Sequence, residues 1–288
     1  MLSPAKINWT LQVLGRRADG FHELQSWFLA LNWGDDLQVS VDQERSQSSL
    51  QVSGPCCDGV PMDESNLLLQ AEAAWRLAGG RAPALKWQLQ KNIPAGGGLG
   101  GGSSNAASAL IMLQELASTA LPVQDCRRIA QGLGSDVDFF WQQASAELRG
   151  GRGEIVLAQA TPSAMWLVLC LTDLHASTAD VFRKLNAPEL SLNFAADLVS
   201  ANAADGIQTH QPWPLQPGSN DLEPAAFGSV PGLEALADEL RRHGAFSMSG
   251  SGSSFFAACS EEAQATQLAE LVSPLVKKVV LCQPRRQS

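Results

Sequence analysis

The chain has 288 residues, of which 45% are hydrophobic and 17% are charged, and its formal net charge is −9 at pH 7. Length and composition are typical of a folded protein with one large domain or two ordinary ones. The acidic balance argues against general nucleic-acid binding, which needs a basic face. An anionic ligand would therefore have to be held by local groups.

The sequence predicts a cytoplasmic protein. Its N-terminus lacks a basic segment followed by an apolar one, and no run approaches the ~18 apolar residues of a membrane span. The cysteines show no metal-type spacing, so we expect reduced thiols, several of them in buried strands. The six are Cys56, Cys57, Cys126, Cys170, Cys259 and Cys282.

Hydrophobic periodicity places the elements of the first half of the chain. Residues 4–14 alternate between apolar and polar side chains, which predicts a strand with one buried face. Lys6 and Asn8 would then lie side by side on its polar face. Further periodic segments predict a helix at 65–78, a strand at 84–92, and helices near 103–117 and 123–133.

The character of the chain changes near residue 160, which suggests two α+β domains. The run "MWLVLCL" at 165–171 predicts a buried strand, and 205–220 predicts an extended loop. The remaining predicted elements are helices near 178–186, 231–243 and 261–272 and a closing strand, "VKKVVLC", at 276–282.

Six glycines occupy the seven positions 96–102, between a predicted strand and a predicted helix. Each ordered glycine costs roughly 0.5–1 kcal/mol relative to alanine, so the segment needs a reason. A flexible linker would rarely sit between such elements. A dinucleotide fingerprint matches G-x-G-x-x-G at 96–101, but Pro94 interrupts the tight turn and no acidic residue follows about 20 positions later.

A phosphate cradle is the interpretation that we favour for this glycine loop. Successive amides without Cβ atoms in the way can approach a polyphosphate, and the following helix adds its unpaired N–H groups. The hydroxyls of Ser103 and Ser104 could bond phosphate or ligate Mg²⁺. The loop is not a Walker A motif, because no Gly-Lys-Ser/Thr follows.

The segment "PAGGGLGGGSSNAA" resembles the phosphate loop of the GHMP small-molecule kinases. "SPAKINWTL" at 3–11, "RRADGFHELQS" at 16–26 and "SGSGSSFFA" at 249–257 resemble further motifs, so the likeness covers essentially the whole chain. It implies a two-domain α+β fold, with a ribosomal protein S5 domain 2-like ATP-binding domain at 1–158 and a ferredoxin-like domain at 159–288.

The resemblance also implies a reaction. ATP would be the phosphoryl donor, with Mg²⁺, and the acceptor would be a small molecule that carries a diphosphocytidyl group on a branched polyol. The tertiary 2-hydroxyl would be phosphorylated, as in the non-mevalonate route to isoprenoid precursors. No nucleic-acid or membrane partner is expected, and the protein would be a monomer or homodimer.

The resemblance assigns catalysis to Asp136, which would accept or orient the hydroxyl proton, and to Lys6, which would stabilise negative charge. Asp138, two residues further on, is a rival base. The ATP-binding positions would be Asn66, Lys91, Pro94, Gly96, Gly97, Gly98, Leu99, Gly100, Gly101, Gly102, Ser103 and Ser104.

The acceptor would be bound mainly through its cytosine. Phe21 and Phe182 resemble the aromatic pair that sandwiches the ring, and His22 resembles its hydrogen-bonding partner. Serine replaces threonine at two positions of the 249–254 loop, which keeps the hydroxyl donors. The weaker carry-overs for the acceptor are Asn8, Thr178, Gly250 and Gly252.

Two alternatives remain. Another family member, such as a homoserine or mevalonate-type kinase, would have no use for the "GFHELQS" segment, since its acceptor carries no base. A catalytically silent nucleotide-binding regulator would have no need to retain both Lys6 and Asp136.

Overall fold

A computed structural model describes residues 1–190, 213–214 and 216–286. Strands and helices are mixed along the chain, which confirms the α+β class. Most of the loop predicted at 205–220 lies outside the described residues. The strands are β1 Leu2–Arg16, β2 His22–Val41, β3 Ser49–Ser53, β4 Leu85–Gln90, β5 Ala146–Gly151, β6 Ile155–Ala160, β7 Trp166–Leu171, β8 Ser247–Met248, β9 Phe255–Cys259 and β10 Lys278–Cys282.

The helices agree with the predicted ones to within a few residues where a prediction was made. Two short helices, Ser135–Trp141 and Glu223–Ser229, were not predicted, because a segment of seven residues shows too little periodicity. The α-helices in the described residues are α1 Leu67–Leu77, α2 Gly101–Leu116, α3 Val123–Leu133, α4 Ser135–Trp141, α5 Thr178–Lys184, α6 Glu223–Ser229, α7 Leu233–Arg241 and α8 Glu262–Val272.

The first compact unit comprises Met1–Ala5, Trp33–Ala95 and Gly100–Gln143. In it, β4 pairs antiparallel with the second part of β2 and parallel with β3. Helices α1 to α4 belong to the same unit, and α2 packs on α1 and α4. Two fully buried tryptophans have their indole N–H groups satisfied there: Trp75 donates to Gln114 Oε1 at 2.8 Å and Trp87 donates to Glu72 Oε2 at 2.6 Å.

The second compact unit comprises Lys6–Asn32, Gly96–Leu99 and Ala144–Ser288. The first part of β2 pairs antiparallel with β5, which pairs antiparallel with β6. A separate antiparallel sheet has the order β10-β7-β9-β8. Its apolar side chains form one core with residues of α5, α6, α7 and α8. The predicted division at 158/159 stays a prediction.

Strand β1 exists as predicted, but the expectation of one buried face is wrong for its first part. All residues from 3 to 9 are buried, including Lys6 and Asn8. Alternation shows which face of a strand is polar, but it does not show whether other parts of the protein bury that face. Strand β2 was not predicted, although residues 26–32 form a nearly continuous apolar run as β7 does, and they are buried on both faces up to Leu31.

All six cysteines are free thiols, as predicted. Burial raises the pKa of Cys170 and of Cys282 to about 12, so neither is a thiolate at neutral pH. None of the helices in the described ranges combines the length and apolar character that a membrane crossing requires.

Strand β5 carries a buried ion pair in the second unit. Arg149 and Glu147 are both completely buried, and Arg149 Nε and Nη2 donate to Glu147 Oε2 at 2.8 and 2.5 Å. Gln159 Nε2 donates to the other carboxylate oxygen at 2.9 Å, while Arg149 Nη1 donates to the carbonyl of Gly153 at 3.0 Å. The pair therefore links the strand to the turn that follows it.

We predict that Arg149→Met destabilises the protein by about 3–5 kcal/mol, because the Glu147 carboxylate would remain buried without its counter-charge. Urea denaturation followed by circular dichroism measures the change. Arg128→Ala is the matched control, since Arg128 is largely exposed and pairs with Asp125 on its own helix, so its loss should cost less than about 0.5 kcal/mol. Equal midpoints for the two variants would refute the assignment.

Candidate active site

The glycine loop has left-handed backbone at alternate positions. Gly96, Gly98 and Gly100 have φ of +68°, +73° and +70°, and none of the intervening residues has a positive φ. Such alternation lets successive N–H groups line one concave side, an arrangement that binds anions. At Gly98 a side chain is also excluded by space, because an added Cβ would lie 2.1 Å from the carbonyl oxygen of Ser249.

The carbonyl groups of the loop are engaged within the second unit. Those of Gly97, Gly98 and Leu99 each accept one hydrogen bond. Their donors are Ser254 N at 3.3 Å, Ser249 Oγ at 3.0 Å and Lys6 N at 3.0 Å, respectively.

The amide groups of the same loop are not engaged in this way. Within the described residues, the amides of 96–103 donate no hydrogen bond, and Gly100 gives α2 no side-chain cap. The loop therefore presents donors without partners at the start of a 16-residue helix, where the helix dipole also favours negative charge. This geometry fits the predicted phosphate cradle.

Asp35 organises the residues just before the loop, in the first unit. Its buried carboxylate accepts from the amides of Asn92 and Ile93 at 2.7 and 2.8 Å, and from Asn105 Nδ2 at 2.9 Å. It also forms a short ion pair with the ammonium of Lys91. One carboxylate thus holds the segment after β4 and the first turns of α2.

Lys91, one of the predicted ATP-binding positions, has its charge paired within the first unit. Its side chain is buried, and its charge is neutralised by Asp35, while Nζ also lies 3.1 Å from Asn105 Oδ1. The sequence did not indicate this pairing, because the acidic partner lies 56 residues earlier in the chain. The role of Lys91 as an ATP-binding residue stays a prediction.

Three other predicted ATP-binding residues are placed in the first unit. Asn66 caps α1, since its Oδ1 accepts from Leu68 N at 3.0 Å and its Nδ2 donates to Pro61 O at 2.7 Å. The hydroxyl of Ser104 is buried and accepts from Ser3 at 2.9 Å, and its amide bonds Gly100 O. Ser103 is only half-buried, so it is the better placed of the two serines for a phosphate or a metal ion.

Lys6 and Asn8 are adjacent, as the strand alternation predicted. Lys6 Nζ donates to Asn8 Oδ1 at 2.7 Å and lies 4.7 Å from the centre of the Phe28 ring. Asn8 Nδ2 donates to Ser26 Oγ at 2.7 Å, and Asn8 N donates to Ser249 Oγ at 3.2 Å. The ammonium is thus a buried cation in one fixed position.

The second glycine loop, residues 249–254, connects β8 and β9. Gly250 and Gly252 have φ of +56° and +84°, and Asn220 Nδ2 donates to the carbonyls of Met248 and Gly250 at 2.8 and 2.7 Å. An added Cβ at Gly250 would lie 3.2 Å from Asn8 Oδ1 and 3.3 Å from Gly98 O. The structure thus brings this loop together with residues 96–99, Lys6 and Asn8.

The residues predicted to bind a base lie on the second unit. His22 begins β2, and its ring centre is 5.3 Å from that of Phe182 on α5. Phe21 is 51% exposed, with the guanidinium of Arg152 4.5 Å from its ring centre. Partial burial and the nearby charge of Arg16 lower the pKa of His22, so its imidazole is neutral at neutral pH and can both donate and accept. Thr178 Oγ1 lies 2.8 Å from Ser251 Oγ.

The two predicted carboxylates of α4 have different surroundings. Asp138 is completely buried in the first unit, 3.4 Å from Arg127 Nε, and accepts from Gln142 Nε2 at 2.8 Å. Asp136, in the first turn of the helix, is half-buried. Asp138 therefore links α3 to α4, which leaves Asp136 the better candidate for a base.

Sequence reasoning missed several residues that build the loops. Asp35 and Asn105 hold the start of the first loop, whereas Ser249 and Asn220 hold the second. A carboxylate within an apolar strand was the available signal for Asp35. Asn105 and Ser249 lie within the quoted motifs, but nothing local indicates their contacts, and Asn220 lies in no motif.

Comparison with known proteins places this geometry in a family. The chain matches the GHMP kinases N terminal domain over residues 66–141 and the GHMP kinases C terminal domain over residues 206–273. It is 34% identical to a 4-diphosphocytidyl-2-C-methyl-D-erythritol kinase from Prosthecochloris aestuarii, over 93% of this chain and 92% of that protein.

A plant relative and a solved structure of the same enzyme are also similar to this chain. The chain is 34% identical to the chloroplastic 4-diphosphocytidyl-2-C-methyl-D-erythritol kinase of Oryza sativa over 88% of its length, and spans only 62% of that longer protein. A crystal structure of 4-(cytidine 5′-diphospho)-2C-methyl-D-erythritol kinase matches with a TM-score of 0.75 and 30% identity, covering 98% of both chains.

We predict opposite effects for two alanine substitutions in the glycine loop. Gly98→Ala would lower stability by about 1–3 kcal/mol from the left-handed backbone alone, with a further cost from the clash with Ser249. Gly102→Ala should raise stability by about 0.5–1 kcal/mol, because this glycine lies in a helix and the nearest atom beyond its own helix backbone, Leu67 Cδ1, would be 3.8 Å from the added Cβ.

Thermal unfolding of the two variants measures this difference. Equal melting temperatures would show that the loop does not hold the described conformation.

Proposed function

The chain belongs to the GHMP kinases, and within them to the 4-diphosphocytidyl-2-C-methyl-D-erythritol kinases, and we propose that it phosphorylates 4-diphosphocytidyl-2-C-methyl-D-erythritol with ATP. The γ-phosphoryl group would pass to the 2-hydroxyl, giving the 2-phosphate and ADP, in the non-mevalonate route to isoprenoid precursors. The observation that carries the proposal is the glycine loop, whose carbonyls are engaged and whose amides are left for phosphate.

ATP is proposed to bind through the amides of residues 96–103, which have no hydrogen-bond partner among the described residues and could donate to phosphate oxygens. Among the described residues, no cluster of three or more His, Cys, Asp or Glu side chains could hold a metal ion alone. Mg²⁺ commonly takes most of its ligands from phosphates and water, so the Ser103 hydroxyl suffices as a protein ligand. The ion would neutralise charge on the transferred group.

Asp136 and Lys6 are proposed to act on the reacting oxygens. Asp136 would orient the acceptor hydroxyl and take its proton as the new P–O bond forms. The ammonium of Lys6, held by Asn8 and buried, would stabilise the negative charge that develops. A cation that is fixed before the reaction needs no reorganisation during it.

The cytosine of the acceptor is proposed to stack with Phe21 and Phe182, with His22 reading the edge of the base. A neutral imidazole suits this role, since cytosine offers both donors and acceptors. Asn8, Thr178, Gly250 and Gly252 would contact the polyol and its phosphates. A homoserine or mevalonate-type acceptor has no ring for this arrangement, and a silent regulator would not need the Lys6 cation.

The direct test is ADP release from ATP and Mg²⁺ with four separate acceptors. We expect turnover with 4-diphosphocytidyl-2-C-methyl-D-erythritol and none with methylerythritol phosphate, mevalonate or homoserine. Turnover with mevalonate or homoserine alone would assign the chain to another branch of the family. ATP binding without any turnover would favour the regulator.

We predict that Asp136→Ala lowers kcat by about 10²–10⁴-fold, because a general base contributes that much, and leaves thermal unfolding nearly unchanged. Asp138→Ala is the matched control on the same helix. It should lower the melting temperature, since it removes the partner of Arg127 and Gln142. If Asp138→Ala abolishes turnover in a folded protein and Asp136→Ala does not, the assignment of the base is reversed.

We predict that Phe21→Ala raises KM for the acceptor about 5- to 100-fold, as expected for the loss of one stacked base, and changes KM for ATP less than about twofold. Leu77→Ala, at an exposed apolar residue of α1, is the control and should change neither. Initial-rate kinetics with each substrate varied in turn measures both constants. Equal losses for ATP and acceptor would contradict a base-binding role.

A further inference from the structure

His175 lies in the segment between β7 and α5 and packs directly over Gly96. An added Cβ at Gly96 would lie 2.2 Å from Cε1 and 2.3 Å from Nδ1 of His175, so the imidazole occupies the space that a side chain there would need. His175 is exposed and, within the described part of the chain, makes no hydrogen bond or ion pair. Its ring nitrogens therefore remain available at the glycine loop.

The backbone on both sides of His175 is anchored to the second glycine loop. Thr172 Oγ1 donates to Ser253 Oγ at 2.7 Å, and Ser253 Oγ donates to the carbonyl of Leu174. Further on, Thr178 Oγ1 lies 2.8 Å from Ser251 Oγ. The imidazole is thus presented to Gly96 by a segment whose position is set by hydrogen bonds.

The chemistry around Gly96 calls for a side-chain donor. The amides of residues 96–103 have no hydrogen-bond partner among the described residues, and the charge of Lys91 is neutralised by Asp35. The protein as a whole carries a net charge of −9, which repels a nucleoside triphosphate. An imidazole N–H beside unpaired amides adds a donor where the anion is expected.

We propose that His175 is an additional phosphate-binding residue, whose imidazole donates a hydrogen bond to a phosphate oxygen of the nucleoside triphosphate held by the amides of residues 96–98. The inference rests on the proposed function, because it takes the glycine loop as the triphosphate site. It adds a side chain from a segment that no motif singled out. It also gives Gly96 a second requirement besides its positive φ, namely room for the imidazole.

Calorimetric titration without acceptor tests the proposal. Wild type, His175→Ala, His175→Gln and the control His243→Ala are each titrated with ATP and with AMP in the presence of Mg²⁺. His243 is a suitable control because its ring lies on the surface, 3.9 Å from Glu239 at the end of α7. His175→Ala should weaken ATP binding about tenfold or more, as expected for a hydrogen bond to a charged group, and change AMP binding less than twofold.

Each other outcome is decisive. His175→Gln should recover part of the ATP affinity, since its amide N–H can donate, and His243→Ala should change nothing. Equal weakening of ATP and AMP would reduce His175 to a support for the loop, and unchanged ATP binding would remove it from the site. Either result overturns the inference, whereas failure of the proposed function would appear separately, as ATP binding by wild type without turnover of the acceptor.

Discussion

The buried carboxylate of Asp35 is the interaction on which the glycine loop depends. It collects two backbone amides, an ammonium and an asparagine amide, so that the segment leaving β4 and the first turns of α2 share one anchor. A buried carboxylate is tolerated only when such partners satisfy it. A loop this rich in glycine would otherwise be expected to sample many conformations, because nothing in its own side chains restricts it.

The peptide groups of the glycine loop are held in one orientation. Hydrogen bonds from Lys6, Ser249 and Ser254 hold its carbonyls, so the amides are the polar groups that remain. The same contacts bring β1 and the second glycine loop to this place, which is how Lys6 and Asn8 come to lie beside residues 96–99. Glycine at particular positions permits close backbone contact, and that contact leaves a surface of N–H donors.

Much of this could be predicted from sequence where the signal is local. Helices α1, α2 and α3 show clear periodicity, and β1 places Lys6 next to Asn8 through simple alternation. The four motifs led to the family because they are specific when they occur together, whereas any one alone would not be. The contacts that could not be predicted from the sequence are long-range. The pairing of Lys91 with Asp35, the burial of both faces of β1 and the packing of His175 on Gly96 each depend on a partner that no local pattern names.

The engaged carbonyls of the glycine loop also define what kind of molecule can compete there. A surface that offers only N–H groups is filled well by carboxylates, sulfonates or phosphonates, and poorly by amines or other donor-rich groups, whose hydrogens would meet hydrogens. In a chain with a net charge of −9, this corner therefore selects for the charge that the rest of the surface repels. Inhibitors aimed at these amides should be compact anions that accept hydrogen bonds.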